Sequence, residues 1–93
     1  MYNIKYILEA EENMLTIYDF IAKDNPLIAK HVIKNILSAI QTLSFFPQMG
    51  KETKSHIWLR TITETVFKYR IFYDFDWNII TILSISKYTN VEI

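Results

Sequence analysis

The sequence predicts an α+β fold: a helical hairpin laid against a mainly antiparallel sheet. Three features carry this reading. A period of two at the N-terminus gives way near Glu9 to helical spacing, the Asp24-Asn25-Pro26 step divides two helical stretches, and the chain beyond Gly50 is rich in β-branched and aromatic residues. The expected order is an N-terminal strand, an antiparallel helix hairpin and a three-stranded antiparallel sheet, in a single domain spanning residues 1–93.

Residues 2–8 place apolar Tyr2, Ile4, Tyr6 and Leu8 against polar Asn3 and Lys5, the alternation of a strand with one buried face. Ala10, Met14, Ile17 or Tyr18, and Ile21 then recur at three- and four-residue steps, predicting a helix over 9–23. Its first turn holds Glu9, Glu11 and Glu12, where carboxylates meet the positive end of the helix dipole. Asn25 suits an N-cap and Pro26 a first helical position, which needs no N–H donor. A second helix follows over 26–45, with Ile28, Val32, Ile36, Ile40 and Leu43 in one stripe and Ala29, Ile33, Leu37 and Ala39 beside it. The near absence of a linker makes the two helices an antiparallel hairpin. Pro47 and Gly50 end the second helix.

Strands are predicted at 57–62, 66–75 and 79–86, with Thr63-Glu64 and Asp76-Trp77-Asn78 as hairpin connections. In the middle strand, Phe67, Tyr69, Ile71, Tyr73 and Phe75 fall on one face, beneath the helices. Lys68, Arg70, Phe72 and Asp74 fall on the other, which puts Lys68 and Arg70 side by side on an open face.

The composition is 51% hydrophobic and 15% aromatic, rich for 93 residues, and argues against disorder. Part of that aromatic surplus is expected at the surface as a partner site. Cysteine is absent, and His31 and His56 have no companion ligand at metal spacing, so neither a disulfide framework nor a zinc site is expected. No cofactor is expected either. No secretory leader and no membrane-spanning run is evident, so the expected location is the cytoplasm.

The net charge is zero but unevenly spread: −3 over residues 1–25, +5 over 30–70 and −2 over the remainder. A basic middle section is either a solvated face or a patch for an anionic partner. Lys51, Lys54, Arg60, Lys68, Arg70 and, further on, Lys87 are the candidate target-binding residues.

Several segments resemble the RelE/ParE superfamily of bacterial toxins, and within it the ParE branch. Ile17-Tyr18-Asp19-Phe20-Ile21-Ala22-Lys23-Asp24-Asn25-Pro26 resembles that branch's helix junction, and Ala39-Ile40-Gln41-Thr42-Leu43 through Phe46-Pro47-Gln48-Met49-Gly50 its helix end. Leu59-Arg60, Tyr69-Arg70-Ile71-Phe72-Tyr73 and Ile80-Ile82-Leu83-Ser84-Ile85 resemble its sheet. The resemblance covers nearly the whole chain. It implies the toxin of a type II toxin–antitoxin pair, associated with plasmid stabilisation and growth inhibition and neutralised by a cognate antitoxin in a hetero-oligomer. Two mechanisms follow from it: ParE-like poisoning of DNA gyrase without chemistry of its own, or RelE-like cutting of messenger RNA on the ribosome. A third outcome is a non-toxic relic acting in an antitoxin repressor complex.

RNA cleavage by the 2′-OH needs a base, an acid and cations on the scissile phosphate. By the resemblance, Arg70 matches the phosphate-stabilising arginine of the RelE strand, Tyr88 stands at the second arginine position, and His56 and Trp58 stand where paired lysines are found. Lys87 and Asn90 occupy the positions of a His and an Arg in the ParE branch. Arg70 and His56 are therefore the catalytic candidates if the protein is a ribonuclease, and one match from the set argues against an enzyme. Arg70 has a structural alternative, an ion pair with Asp74 on the same face. His31 reads as a surface residue and Asp74 and Asp76 as a turn. Ser84 and Ser86 lack a triad partner, and Trp58 and Trp77 read as packing or partner anchors.

Overall fold

In the computed structural model, which describes residues 1–56 and 58–87, the chain forms β1 (Asn3–Tyr6), α1 (Leu8–Ala22), α2 (Pro26–Leu43), β2 (Lys51–Glu52), β3 (Arg60–Glu64), β4 (Tyr69–Asp76) and β5 (Ile79–Lys87). The strands make one five-stranded sheet in the order β1-β5-β4-β3-β2. β1 runs parallel to β5, and the other pairings are antiparallel. The α+β class and the element order match the sequence reading, but the sheet is mixed and has two strands beyond the expected antiparallel three. One is β1, which returns from the other side of the helix hairpin to the edge of β5. The other is β2, whose two residues are too short to leave a periodic signal.

The helix junction forms as its residues dictate. Asn25 Oδ1 accepts from Ile28 N at 3.1 Å, and Pro26 is the first helical residue. Val32, Ile36, Ile40 and Leu43 of the α2 stripe are buried, while Ile28 at its start stays 38% exposed. α1 contributes Ala10, with Met14, Ile17 and Ile21 packed against the same core. Both helices cover one face of the sheet, where Ile62, Tyr69, Ile71, Tyr73, Ile80, Ile82 and Ile85 are buried.

Buried positions in β5 run 80, 82 and then 85, which breaks the period of two. A register shift explains it: Tyr73 pairs with Ile82, but Phe72 pairs with Ser84, leaving Leu83 as an extra residue. The bulge returns Ile85 to the core face. At the same place α1 covers the sheet edge that β1 leaves, because the Ile85 N–H donates to Asn13 Oδ1 at 2.9 Å.

Two sequence expectations are corrected here. Thr63 and Glu64 are not a hairpin connection but the end of β3, and the turn lies at 65–68. The reason is chemical: the Glu64 carboxylate accepts from the N–H groups of Val66 and Phe67, both at 2.8 Å, and so satisfies the turn's own donors. Lys68 consequently belongs to that turn, at φ 66°, and is not beside Arg70 in the strand. The second hairpin has a two-residue tip, Trp77-Asn78, with Trp77 at φ 54°. The start of the strand expected at 57–62 and the positions Tyr88 and Asn90 lie outside the described residues.

Candidate functional site

Strand register decides which face each candidate residue occupies, because directly paired residues project to the same side. Four cross-strand rows lie on the face away from the helices. Asn3, Ile79 and Asp76 form one row, Lys5, Thr81 and Asp74 the next, Lys51, Thr61, Phe72 and Ser84 the third, and Thr63, Arg70 and Ser86 the fourth. Arg70 thus stands in the middle strand with hydroxyl side chains on both neighbours, its guanidinium 5.2 Å from the centre of the Phe72 ring. Lys5, expected on the polar face of the N-terminal strand but not among the target-binding candidates, joins this face. Its position depends on the parallel β1–β5 pairing, a non-local contact with no local pattern in the chain.

Arg60 lies on the opposite face, paired with the buried Tyr73. Its Nη1 donates to Gly50 O at 2.8 Å and to Gln48 O at 3.4 Å. Its Nη2 is 3.9 Å from Glu52, and the guanidinium sits 5.5 Å from the Phe75 ring centre. These contacts tie the post-helix loop to the sheet, and they occupy much of Arg60's donor fork.

Lys87 also lies on the helix side, paired with Tyr69. Its ammonium donates to the Phe67 carbonyl and lies 4.8 Å from the Tyr69 ring centre. Lys87 lines a cleft of 540 Å³ between the helices and the β3–β4 turn, the turn to which Lys68 belongs.

Lys54 and His56 belong to the loop after β2. The Thr53 hydroxyl donates to His56 O at 3.1 Å and accepts from His56 N at 3.3 Å, and the imidazole lies 4.9 Å from the Trp58 ring. Arg60, just beyond this loop, is three positions along β3 from Thr63, the partner of Arg70, a span of about 10 Å at strand spacing. Arg70 lies on the open face of the sheet and His56 in the loop before β3. The six cations divide into Lys51 and Arg70 on the open face, Arg60 and Lys87 on the helix side, and Lys54 and Lys68 in loops. No cluster of three or more His, Cys, Asp or Glu side chains that could hold a metal ion occurs among the described residues. No helix among them is long and apolar enough to cross a membrane.

Burial raises the Tyr73 phenol above its ordinary 10.0, against smaller lowering effects of the Gly50 hydrogen bond and the Arg60 charge. Tyr69 is raised by burial and by the Glu64 carboxylate, and Tyr6 by burial. These phenols serve the core as neutral groups.

This architecture is shared with solved toxin structures. The chromosomal ParDE system from P. aeruginosa contains a chain that superposes with a TM-score of 0.81 at 20% identity, covering 96% of this chain and 98% of that one. A chain of the intact E. coli RelBE toxin–antitoxin complex superposes with a TM-score of 0.61 at 14% identity, covering 97% and 100%. At these identities the likeness is one of fold. No curated protein matches the sequence significantly. The family model described as the ParE toxin of the type II toxin–antitoxin system parDE matches residues 4–89. With that match over nearly its whole length, the chain belongs to the ParE toxin family of type II toxin–antitoxin systems, the ParE branch of the RelE/ParE superfamily.

Proposed function

We propose that this toxin acts in the cytoplasm by ParE-like inhibition of DNA gyrase, and that a cognate antitoxin neutralises it in a hetero-oligomer. The observation that carries the choice of mechanism is the row around Arg70, whose cross-strand partners Thr63 and Ser86 are hydroxyls, neither an imidazole nor a carboxylate. General acid–base cleavage needs its groups within hydrogen-bond reach of one substrate, directly or through a water. One guanidinium in a row of hydroxyls fits a binding face better than an acid–base reaction centre. Lys5, Lys51 and Arg70 supply that face with positive charge, and Phe72 supplies a flat apolar surface beside Arg70. No cofactor is required for such binding.

RelE-like cutting of messenger RNA is the second reading. It is favoured by Arg70 itself, a guanidinium at the centre of a hydroxyl-bearing sheet face and suited to a phosphate. Induced expression in a bacterial host, with plasmid supercoiling and messenger-RNA ends followed together, separates the two. Loss of negative supercoiling with intact transcripts supports gyrase inhibition. Transcript cuts that precede any change in supercoiling support the ribonuclease.

A further inference from the structure

The β4–β5 hairpin closes on a two-residue tip, Trp77-Asn78, between the paired Asp76 and Ile79. Trp77 is 88% exposed, so its ring adds nothing to the core. It also holds φ 54°, a positive value that Asn78 does not share. Positive φ at the first tip position alone is the pattern for which two-residue hairpins favour glycine, and a large side chain there is strained. Packing and turn geometry thus both disfavour tryptophan at position 77. A strained, exposed residue of this kind points to a role outside the fold. Ile79, directly after the tip, is 43% exposed. It shares the last row of the open face with the exposed Asp76, and Asp74 stands in the adjoining row. This end of the sheet is therefore an apolar knob bordered by two carboxylates.

Resting on the gyrase reading above, we propose that Trp77 anchors the toxin on its target protein by entering an apolar pocket of that protein whose rim carries lysine or arginine. Shape and charge select the occupant. A ring carried on a two-residue turn fits a concavity, and it has only two side-chain torsions to fix on binding. Tryptophan is among the residues enriched at the energetic centres of protein interfaces. Asp76 and Asp74 favour basic side chains around the pocket. The same carboxylates repel the phosphates of a nucleic acid, which makes the tip a protein contact. Continuity with the open face selects the target among proteins. The row of Ile79 and Asp76 adjoins that of Lys5, on the same face as Lys51 and Arg70, which are assigned above to target binding.

Biolayer interferometry of the full chain on immobilised, purified DNA gyrase holoenzyme tests this, with the melting temperature read for every variant. Trp77→Gly is the decisive change, because it removes the ring and relieves the positive φ together. Gyrase binding is expected to weaken about tenfold or more, while the melting temperature holds or rises. Trp77→Phe keeps an aromatic ring and is expected to retain more affinity than Trp77→Gly. Asp76→Lys is expected to slow association at low salt and to flatten its salt dependence. Affinity for the purified product of the adjacent antitoxin gene is expected to be unchanged by Trp77→Gly. Gyrase binding that ignores both Trp77→Gly and Asp76→Lys overturns this placement and leaves the gyrase reading standing. No gyrase binding by the wild type overturns both. Antitoxin affinity lost in Trp77→Gly while gyrase binding persists assigns the tip to the antitoxin. Wild-type self-association that Trp77→Gly abolishes, again with gyrase binding intact, assigns it to a second copy of the chain. Either result overturns the proposal.

Discussion

The hydroxyl of Tyr73 accepts a hydrogen bond from the backbone N–H of Gly50 at 2.9 Å and donates one to the carbonyl of Pro47 at 2.7 Å. A buried side chain in the middle of the sheet thus holds both ends of the loop that leaves α2. Arg60 completes the arrangement by donating to the Gly50 carbonyl. The packing leaves no room for a side chain at position 50, where a Cβ would lie 2.4 Å from the Tyr73 hydroxyl oxygen. Gly50→Ala is expected to be clearly destabilising, because the neighbour that must give way is a ring locked in the core. Tyr73→Phe leaves the Gly50 N–H and the Pro47 carbonyl without this partner. The expected loss is about 1–3 kcal/mol per buried group left unsatisfied, read as a lower midpoint in urea unfolding.

The same phenol sets a limit at high pH. Tyr73, Tyr69 and Tyr6 all have folded-state pKa values raised above 10.0, with burial the leading cause. A raised value favours the protonated form in the folded state. Its contribution is complete below about pH 10, the unfolded value, and is lost as pH rises through the folded values. Unfolding midpoints are expected to hold steady from neutral pH to about pH 9 and to fall beyond pH 10. Tyr73→Phe should show a shallower alkaline fall from a lower starting stability. A midpoint that rises above pH 10 contradicts this account.

Glu64 is expected to behave as a structural residue. Its side chain caps the amides of Val66 and Phe67 and accepts from Asn35 Nδ2 at 3.4 Å, tying the β3–β4 turn to α2. The residue is only 5% exposed. Glu64→Gln removes one of two acceptor oxygens and presents an NH₂ group to a backbone N–H, with an expected cost of about 1–3 kcal/mol in chemical unfolding. In the same turn, Lys68→Gly relieves the positive φ of a non-glycine residue and is expected to be neutral or stabilising by up to about 1 kcal/mol.

The two strand arginines should separate in their effects. Arg60→Ala removes contacts to Gly50 and Gln48, so it is expected to lower stability. Arg70→Ala removes a guanidinium from the open face and is expected to change target binding more than melting temperature. Circular dichroism melts of the two variants alongside growth assays check this. Equal melting losses would mean that Arg70 is as structural as Arg60.

Local chemistry made part of the fold readable in the sequence. Asn25-Pro26 fixes a helix start by capping and by φ restriction, and the Val32-Ile36-Ile40-Leu43 stripe can face only a core. The alternation of Tyr69, Ile71 and Tyr73 likewise locates a buried sheet face. Features set by distant partners were not readable. The turn at 65–68 depends on Glu64 folding back onto amides, β1 finds β5 across the whole helix hairpin, and the bulge at Leu83 shifts the phase of β5. For the same reason the basic residues read as one patch in sequence but divide by register. Arg60 and Lys87 turn to the helix side, and Lys5 joins Lys51 and Arg70 on the open face.

Purified protein added to a DNA gyrase supercoiling reaction and, in parallel, to ribosomes translating a defined messenger RNA tests the proposed inhibition of gyrase by binding without RNA cleavage. Supercoiling is expected to be inhibited, the transcript to stay intact, and the antitoxin to restore supercoiling. Ribosome-dependent cuts in the transcript, lowered about a hundredfold or more by Arg70→Ala as expected for loss of a transition-state cation, with supercoiling unaffected, would contradict the proposed inhibition.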